Sequence, residues 1–218
     1  MTSSTPKKRG PGRPRDVNLP ARRREQILRS AADQFARHGY RHTDVQKIAD
    51  QLGVAKGTIY NYFPSKRELF LAAVDQGIRD LSGSIQAVTV HETDPVKMIK
   101  IGVTAYLAFF DEHPNFVELL IQERAEFKDR TKPTYFQHRE ASVDRWRDFY
   151  RDLIDQGIVR DMPVDRILDV INNMLYGTIF TNYHAGRSQS LEQQAQDLLD
   201  VFFHGILDLR NPTSPQEK

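Results

Sequence analysis

The stretch from Thr43 to Phe70, TDVQKIADQLGVAKGTIYNYFPSKRELF, constrains the fold of this chain more than any other. Apolar residues recur at helical spacing, but Gly53 and Pro64 cut the pattern into short pieces. The segment therefore reads as a helix over 43–52, a tight turn, a short helix over 55–62 and a new helix from Ser65. Val45, Ile48, Ala49 and Leu52 fix the packing of the first helix. Lys56, Thr58, Tyr60, Asn61, Tyr62 and Lys66 are left to face outward. Such a pair suits a helix-turn-helix, in which one helix crosses a duplex backbone and the next enters the major groove.

The same punctuation runs along the whole chain. Ile27, Leu28, Ala31 and Phe35 form a helical stripe that Gly39 is placed to end. Thr43 with Gln46, Ser65 with Glu68 and Ser190 with Gln193 have the spacing of capping boxes. Asp94-Pro95, His113-Pro114, Pro133 and Pro163 mark further helix starts, while Gly157 and Gly186 mark stops. No period-two alternation is long enough for a sheet, so the expected class is all-α. Three units are expected: a disordered basic arm at 1–18, a helix-turn-helix head at 19–66 and a helical body at 67–218.

Charge separates these units. Residues 1–67 hold 15 Lys or Arg against 5 Asp or Glu, and residues 68–218 hold 16 against 24. A basic third joined to an acidic remainder points to one polyanion-binding module on a body that does not touch polyanions. Within the short helix, Thr58 offers a hydroxyl and a methyl to base edges, Lys56 reaches phosphate or guanine, and Asn61 suits adenine. Tyr60 and Tyr62 can donate to phosphates, as can Thr43 at a helix start and Lys66. Gly57 costs roughly 1 kcal/mol against alanine in mid-helix. Close approach to a neighbouring helix or to the DNA backbone would offset that.

Phe35, Gly39, Thr43, Val45, Ile48, Ala49, Gly53, Val54, Lys56, Gly57, Tyr60, Tyr62, Phe63, Lys66 and Leu69 together resemble the DNA-binding domain of the TetR family of one-component bacterial regulators, over about residues 22–70. Ala55 departs from the pattern, since many members carry serine there. That departure removes a cap and phosphate donor at the start of the reading helix and leaves more to Lys56. The resemblance implies a homodimer of all-helical subunits, each with a small-molecule site in the body. Helices near 163–186 and 190–209 would form the dimer interface, and the operator would be palindromic. It also implies a ligand cavity among the aromatic and apolar residues Tyr106, Phe110, Phe116, Leu120, Phe127, Trp146, Tyr150 and Tyr176. Glu123, Arg124, His138, Asn172 and Asn173 are the polar pointers to that cavity.

Lys7 to Arg15, KKRGPGRPR, resembles an AT-hook core, in which Arg13 would enter a narrow A·T-rich minor groove. The chain has no cysteine, which removes disulfides and thiolate chemistry. Of its seven histidines only His38 and His42 stand four residues apart, a lone pair short of a ligand set, and no nucleophile elbow, P-loop or dinucleotide-binding glycine pattern occurs. No metal, cofactor or catalytic residue is expected. No apolar run approaches the roughly 20 residues that span a bilayer, and no signal peptide is evident. The expectation is a cytoplasmic, non-enzymatic regulator, nucleoid-associated when bound to DNA. It would repress from a double-stranded operator and leave it on binding an unknown effector. The alternative is an architectural DNA-binding protein whose body only dimerises.

Overall fold

The computed structural model describes residues 19–186 and 189–204, and among them every regular element is an α-helix. The basic arm, with Arg13, lies outside the described residues. The head comprises α1 (Leu19–His42), α2 (Val45–Gln51) and α3 (Lys56–Tyr62). A long connecting helix, α4 (Lys66–Thr89), leads into α5 (Pro95–Glu112), α6 (Pro114–Glu126), α7 (Thr134–Asp155), α8 (Val164–Ala185) and α9 (Leu191–His204). α1 packs on α4 and α6, α5 lies between α4 and α9, and α7 bridges α4 and α8.

Four helices start where a side-chain oxygen takes backbone N–H groups that lack an intrahelical partner. Asp94 Oδ1 accepts from Val96 N at 2.9 Å and Lys97 N at 3.2 Å, opening α5. Ser65 Oγ accepts from Glu68 N at 3.1 Å for α4, and Ser190 Oγ from Gln193 N at 3.2 Å for α9. At α2 the cap is Asp44 rather than Thr43: Asp44 Oδ1 accepts from Gln46 N at 2.8 Å. Thr43 is held by the end of α1 instead. Gly39 leaves helical geometry there, with φ 77°, and Thr43 N bonds its carbonyl at 3.1 Å. The Thr43 hydroxyl lies 2.8 Å from the same oxygen and 3.1 Å from Gln34 O.

The core runs without a break from head to body. Ile27, Phe35, Ile48, Ile59 and Phe70 are fully buried in its head portion, and Leu107, Phe110 and Leu119 in its body portion. Gly53 takes φ 62° in the α2–α3 turn, a backbone region that a side chain would strain. Gly77 serves a different purpose. A Cβ there would lie 2.2 Å from the Phe116 ring, so its absence lets α4 and α6 meet.

Gly83 lies on the same helix with open space around it. Gly77→Ala is therefore expected to destabilise the fold by about 1–3 kcal/mol through overpacking. Gly83→Ala should be neutral or stabilise by up to about 1 kcal/mol through helix propensity. Urea unfolding of the two variants checks this, and equal effects would contradict the close approach.

Candidate nucleic-acid interface and ligand cavity

α3 is built with one inward side and one unspent side. Ile59 and Phe63 are buried and anchor it to the head core. Tyr60, Asn61, Ala55 and Gly57 are exposed, and Lys56, Thr58 and Tyr62 are half-buried. Thr58, Tyr60 and Asn61 make no side-chain hydrogen bond within the described chain, so their donors and acceptors face water or a partner. Ala55 caps α3 without a side-chain bond. An added Cβ at Gly57 would meet nothing within 4 Å. Packing against a neighbouring helix therefore does not explain this glycine, and the approach it permits is to something outside the fold.

The cations sort differently. Lys56 Nζ lies 3.3 Å from Asp44 Oδ1, tying the start of α3 to the start of α2. The backbone N–H of Gln46 and then Lys56 hold the Asp44 carboxyl below its ordinary pKa. Lys66 does not project freely. Its Nζ donates to Arg41 O at 3.0 Å and sits 5.0 Å from the Tyr40 ring centre, and burial lowers its pKa. Its ammonium thus stabilises the end of α1. Thr43 is buried, with its hydroxyl engaged inside the head, so it does not face a phosphate. Two other positions carry charge toward this surface. Arg24 stacks over Phe63 at 5.2 Å, and Lys47 is exposed on α2. Sequence reading registers them only as part of the basic excess.

In the body, a cavity of about 290 Å³ is lined by Leu120, Glu123 and Arg124 of α6, Thr131 and Pro133 of the following loop, Tyr135 and Phe136 of α7, and Tyr176 of α8. Four expected ligand residues, Leu120, Glu123, Arg124 and Tyr176, come together there. Tyr135 and Phe136 were legible only as helical aromatics, Pro133 only as a helix start, and Thr131 carried no signal, because a loop closes the wall. Glu123 is 1% exposed. Its Oε1 accepts from Arg130 Nη1 at 2.7 Å, Thr134 N at 2.9 Å and Thr134 Oγ1 at 2.7 Å.

The remaining expected ligand residues have other roles. Tyr106 lies behind the cavity, its hydroxyl 2.9 Å from that of Tyr135. Phe110 and Phe116 stack at 5.9 Å in the α4–α6 core. Phe127 packs into the head–body seam against Tyr40 and Phe70. His138 Nε2 lies 2.7 Å from Asp75 Oδ1, joining α7 to α4. Burial pushes the Asp75 carboxyl up, but hydrogen bonds from Arg79 and His138 outweigh it and leave the pKa lowered. Trp146 is exposed, and Tyr150 is buried, its phenol pushed up to about 12 by desolvation. Asn172 spends its amide on Leu168 O at 2.6 Å, and Asn173 is exposed. Among the described residues no group of three or more His, Asp or Glu is placed to hold a metal, and no helix is long and apolar enough to cross a membrane.

Thr58→Ala and Asn61→Ala are each expected to cost about 1–3 kcal/mol in affinity for a cognate duplex. Their effect on unfolding stability should stay within about 0.5 kcal/mol. Thr43→Ala should do the reverse, destabilising the head by about 0.5–1.5 kcal/mol through its lost hydrogen bond. Paired gel-shift and urea titrations separate the two patterns. Loss of binding only in parallel with loss of stability would contradict the assignment of α3.

The comparisons with known proteins agree with this geometry. Residues 27–73 match the family model described as bacterial regulatory proteins, tetR family. The chain is 27% identical over 204 residues to the HTH-type transcriptional repressor KstR2 of Mycolicibacterium smegmatis, covering 88% of this chain and 95% of that one. In fold it resembles FadR of Bacillus subtilis, solved in complex with stearoyl-CoA. The TM-score is 0.72 at 17% identity, over 84% of this chain and 99% of that one. It also resembles PfmR of Thermus thermophilus, with a TM-score of 0.67 at 23% identity over 83% and 98%. Residues 27–73 thus carry a helix-turn-helix of the kind that model describes, and the helical body shares its fold with these regulators.

Proposed function

We propose that the protein is a ligand-responsive repressor that binds a palindromic operator as a homodimer and leaves it when a small molecule fills the α6–α8 cavity. The observation that carries this reading is the outward face of α3. Polar side chains of the right reach stand on a helix whose inner face is anchored, and those of Thr58, Tyr60 and Asn61 take no hydrogen bond within the described fold. The named repressor function of KstR2 and the ligand held by FadR support the reading.

Dimerisation is proposed through α8 and α9. Val170 and Tyr183 on α8 and Val201 on α9 are exposed. Two-fold pairing of the same helices would give a four-helix interface. We keep the division into an arm at 1–18, a head at 19–66 and a body at 67–218, with DNA contacts from Lys56, Thr58, Tyr60, Asn61 and the basic arm. A cytoplasmic location, at the nucleoid when bound, follows from that role.

Selection from random duplexes should return a two-fold symmetric site with half-site centres about 34–36 Å apart or a similar spacing. Removing residues 1–18 should weaken binding to that site and flatten its dependence on salt, because fewer counterions are released. An asymmetric selected site would overturn the dimeric reading. Unchanged affinity and slope would remove the arm from it.

A further inference from the structure

We infer that the α6–α8 cavity takes a compact apolar ligand bearing a hydroxyl group, which donates to Glu123 Oε2 and accepts from the Tyr135 hydroxyl. The inference rests on the ligand-responsive reading above and specifies the chemistry of its effector.

Two residues that line this cavity, Glu123 and Tyr135, keep hydrogen-bonding capacity that the fold leaves unused. The first is on Glu123. Its Oε1 takes three donors, while its Oε2 is buried and has no partner. Buried carboxylate oxygens are rarely left so, and an unmet one calls for an occupant. The second is on the tyrosine pair. Burial raises the pKa of both Tyr106 and Tyr135, so each keeps its proton. Two protons are thus shared between two touching hydroxyl oxygens, and only one can lie between them. If Tyr135 donated to Tyr106, the proton of the more deeply buried phenol would be stranded. Tyr106 therefore donates, and the Tyr135 proton needs an acceptor outside the pair. Tyr135 borders the cavity, and among the described residues no protein acceptor takes that proton.

The donor and acceptor inventory then selects the ligand group. A carboxylate accepts from Tyr135 but has nothing to give Glu123, and it brings like charge to a carboxylate. An ammonium satisfies Glu123 but cannot accept from Tyr135. A hydrocarbon does neither, and a hydroxyl does both. The rest of the wall is Leu120, Phe136 and Tyr176, with the Phe136 and Tyr176 rings 5.5 Å apart, which suits an apolar body. Arg124 is exposed at the rim and keeps its charge in water. A volume of about 290 Å³ lies at the small end of ligand sites and favours a compact molecule.

The test is calorimetric titration of the full chain at pH 7 with four probes on one skeleton: 3-phenylpropan-1-ol, 3-phenylpropionate, 3-phenylpropylamine and propylbenzene. The alcohol should bind about three- to tenfold more tightly than each of the others. Tyr135→Phe should weaken the alcohol by a similar factor and leave propylbenzene unchanged, which also reports that the cavity is intact. Glu123→Gln should narrow the gap between alcohol and hydrocarbon. Preference for the carboxylate or the amine, or indifference of the alcohol to Tyr135→Phe, overturns the hydroxyl inference while the ligand-responsive reading stands. If none of the four binds and none disturbs the complex with the selected duplex, both fall.

Discussion

The seam where the head meets the body is made of four rings. Tyr40 lies 5.3 Å from Phe70 and 4.8 Å from Phe127, and Phe70 lies 5.0 Å from Phe35 and 5.3 Å from Phe127, all as ring centroids. The rings come from α1, α4 and the end of α6, so this one cluster sets how the DNA-reading unit is carried. Edge-to-face and tilted pairs of this kind contribute about 0.5–1.5 kcal/mol each beyond their buried area. Gln122 adds a buried tie, donating to Phe35 O at 3.0 Å. Arg41 with Glu126 and Arg67 with Asp129 close the rim. These rim pairs are open to solvent and serve orientation more than strength.

The seam matters because α6 has two duties within a few residues. Gln122, Glu126 and Phe127 hold the head, while Leu120, Glu123 and Arg124 border the cavity. Glu123 also fastens the loop after α6 through Arg130 and Thr134. An occupant that engages Glu123 thus acts on the segment that carries Phe127 and Asp129. Under the proposed function, effector and DNA would compete through the populations of two head positions, each lowering the affinity for the other by the same factor.

Much of this was legible in the sequence, for identifiable reasons. The starts of α4, α5 and α9 were legible because Ser65, Asp94 and Ser190 use local bonds that depend on spacing alone. The α3 face was legible because a short helix with Ile59 and Phe63 inward leaves little choice for Lys56, Thr58 and Asn61. Thr43 was misread because its partner is the carbonyl freed by the kink at Gly39, and a kink shifts the cap by one residue. Lys66 was misread because the Tyr40 ring and Arg41 carbonyl that hold it arrive from another helix. The cavity was half legible. Aromatics at helical spacing look alike whether they fill a core, as Phe110 does, or line a space, as Phe136 does. Only the packing of α6, the loop and α7 distinguishes them.

The chain has no cysteine, so a single introduced thiol carries a spin label at one known place. His38, exposed on α1, suits this purpose. The distance distribution between the two labelled heads of a His38→Cys dimer, measured with and without Phe127→Ala, tests the seam directly. The account predicts a narrow distribution for the parent and a broadened or displaced one once the Phe127 ring is gone, with the helical content of the body retained. An unchanged distribution would show that the head is carried by something other than these rings.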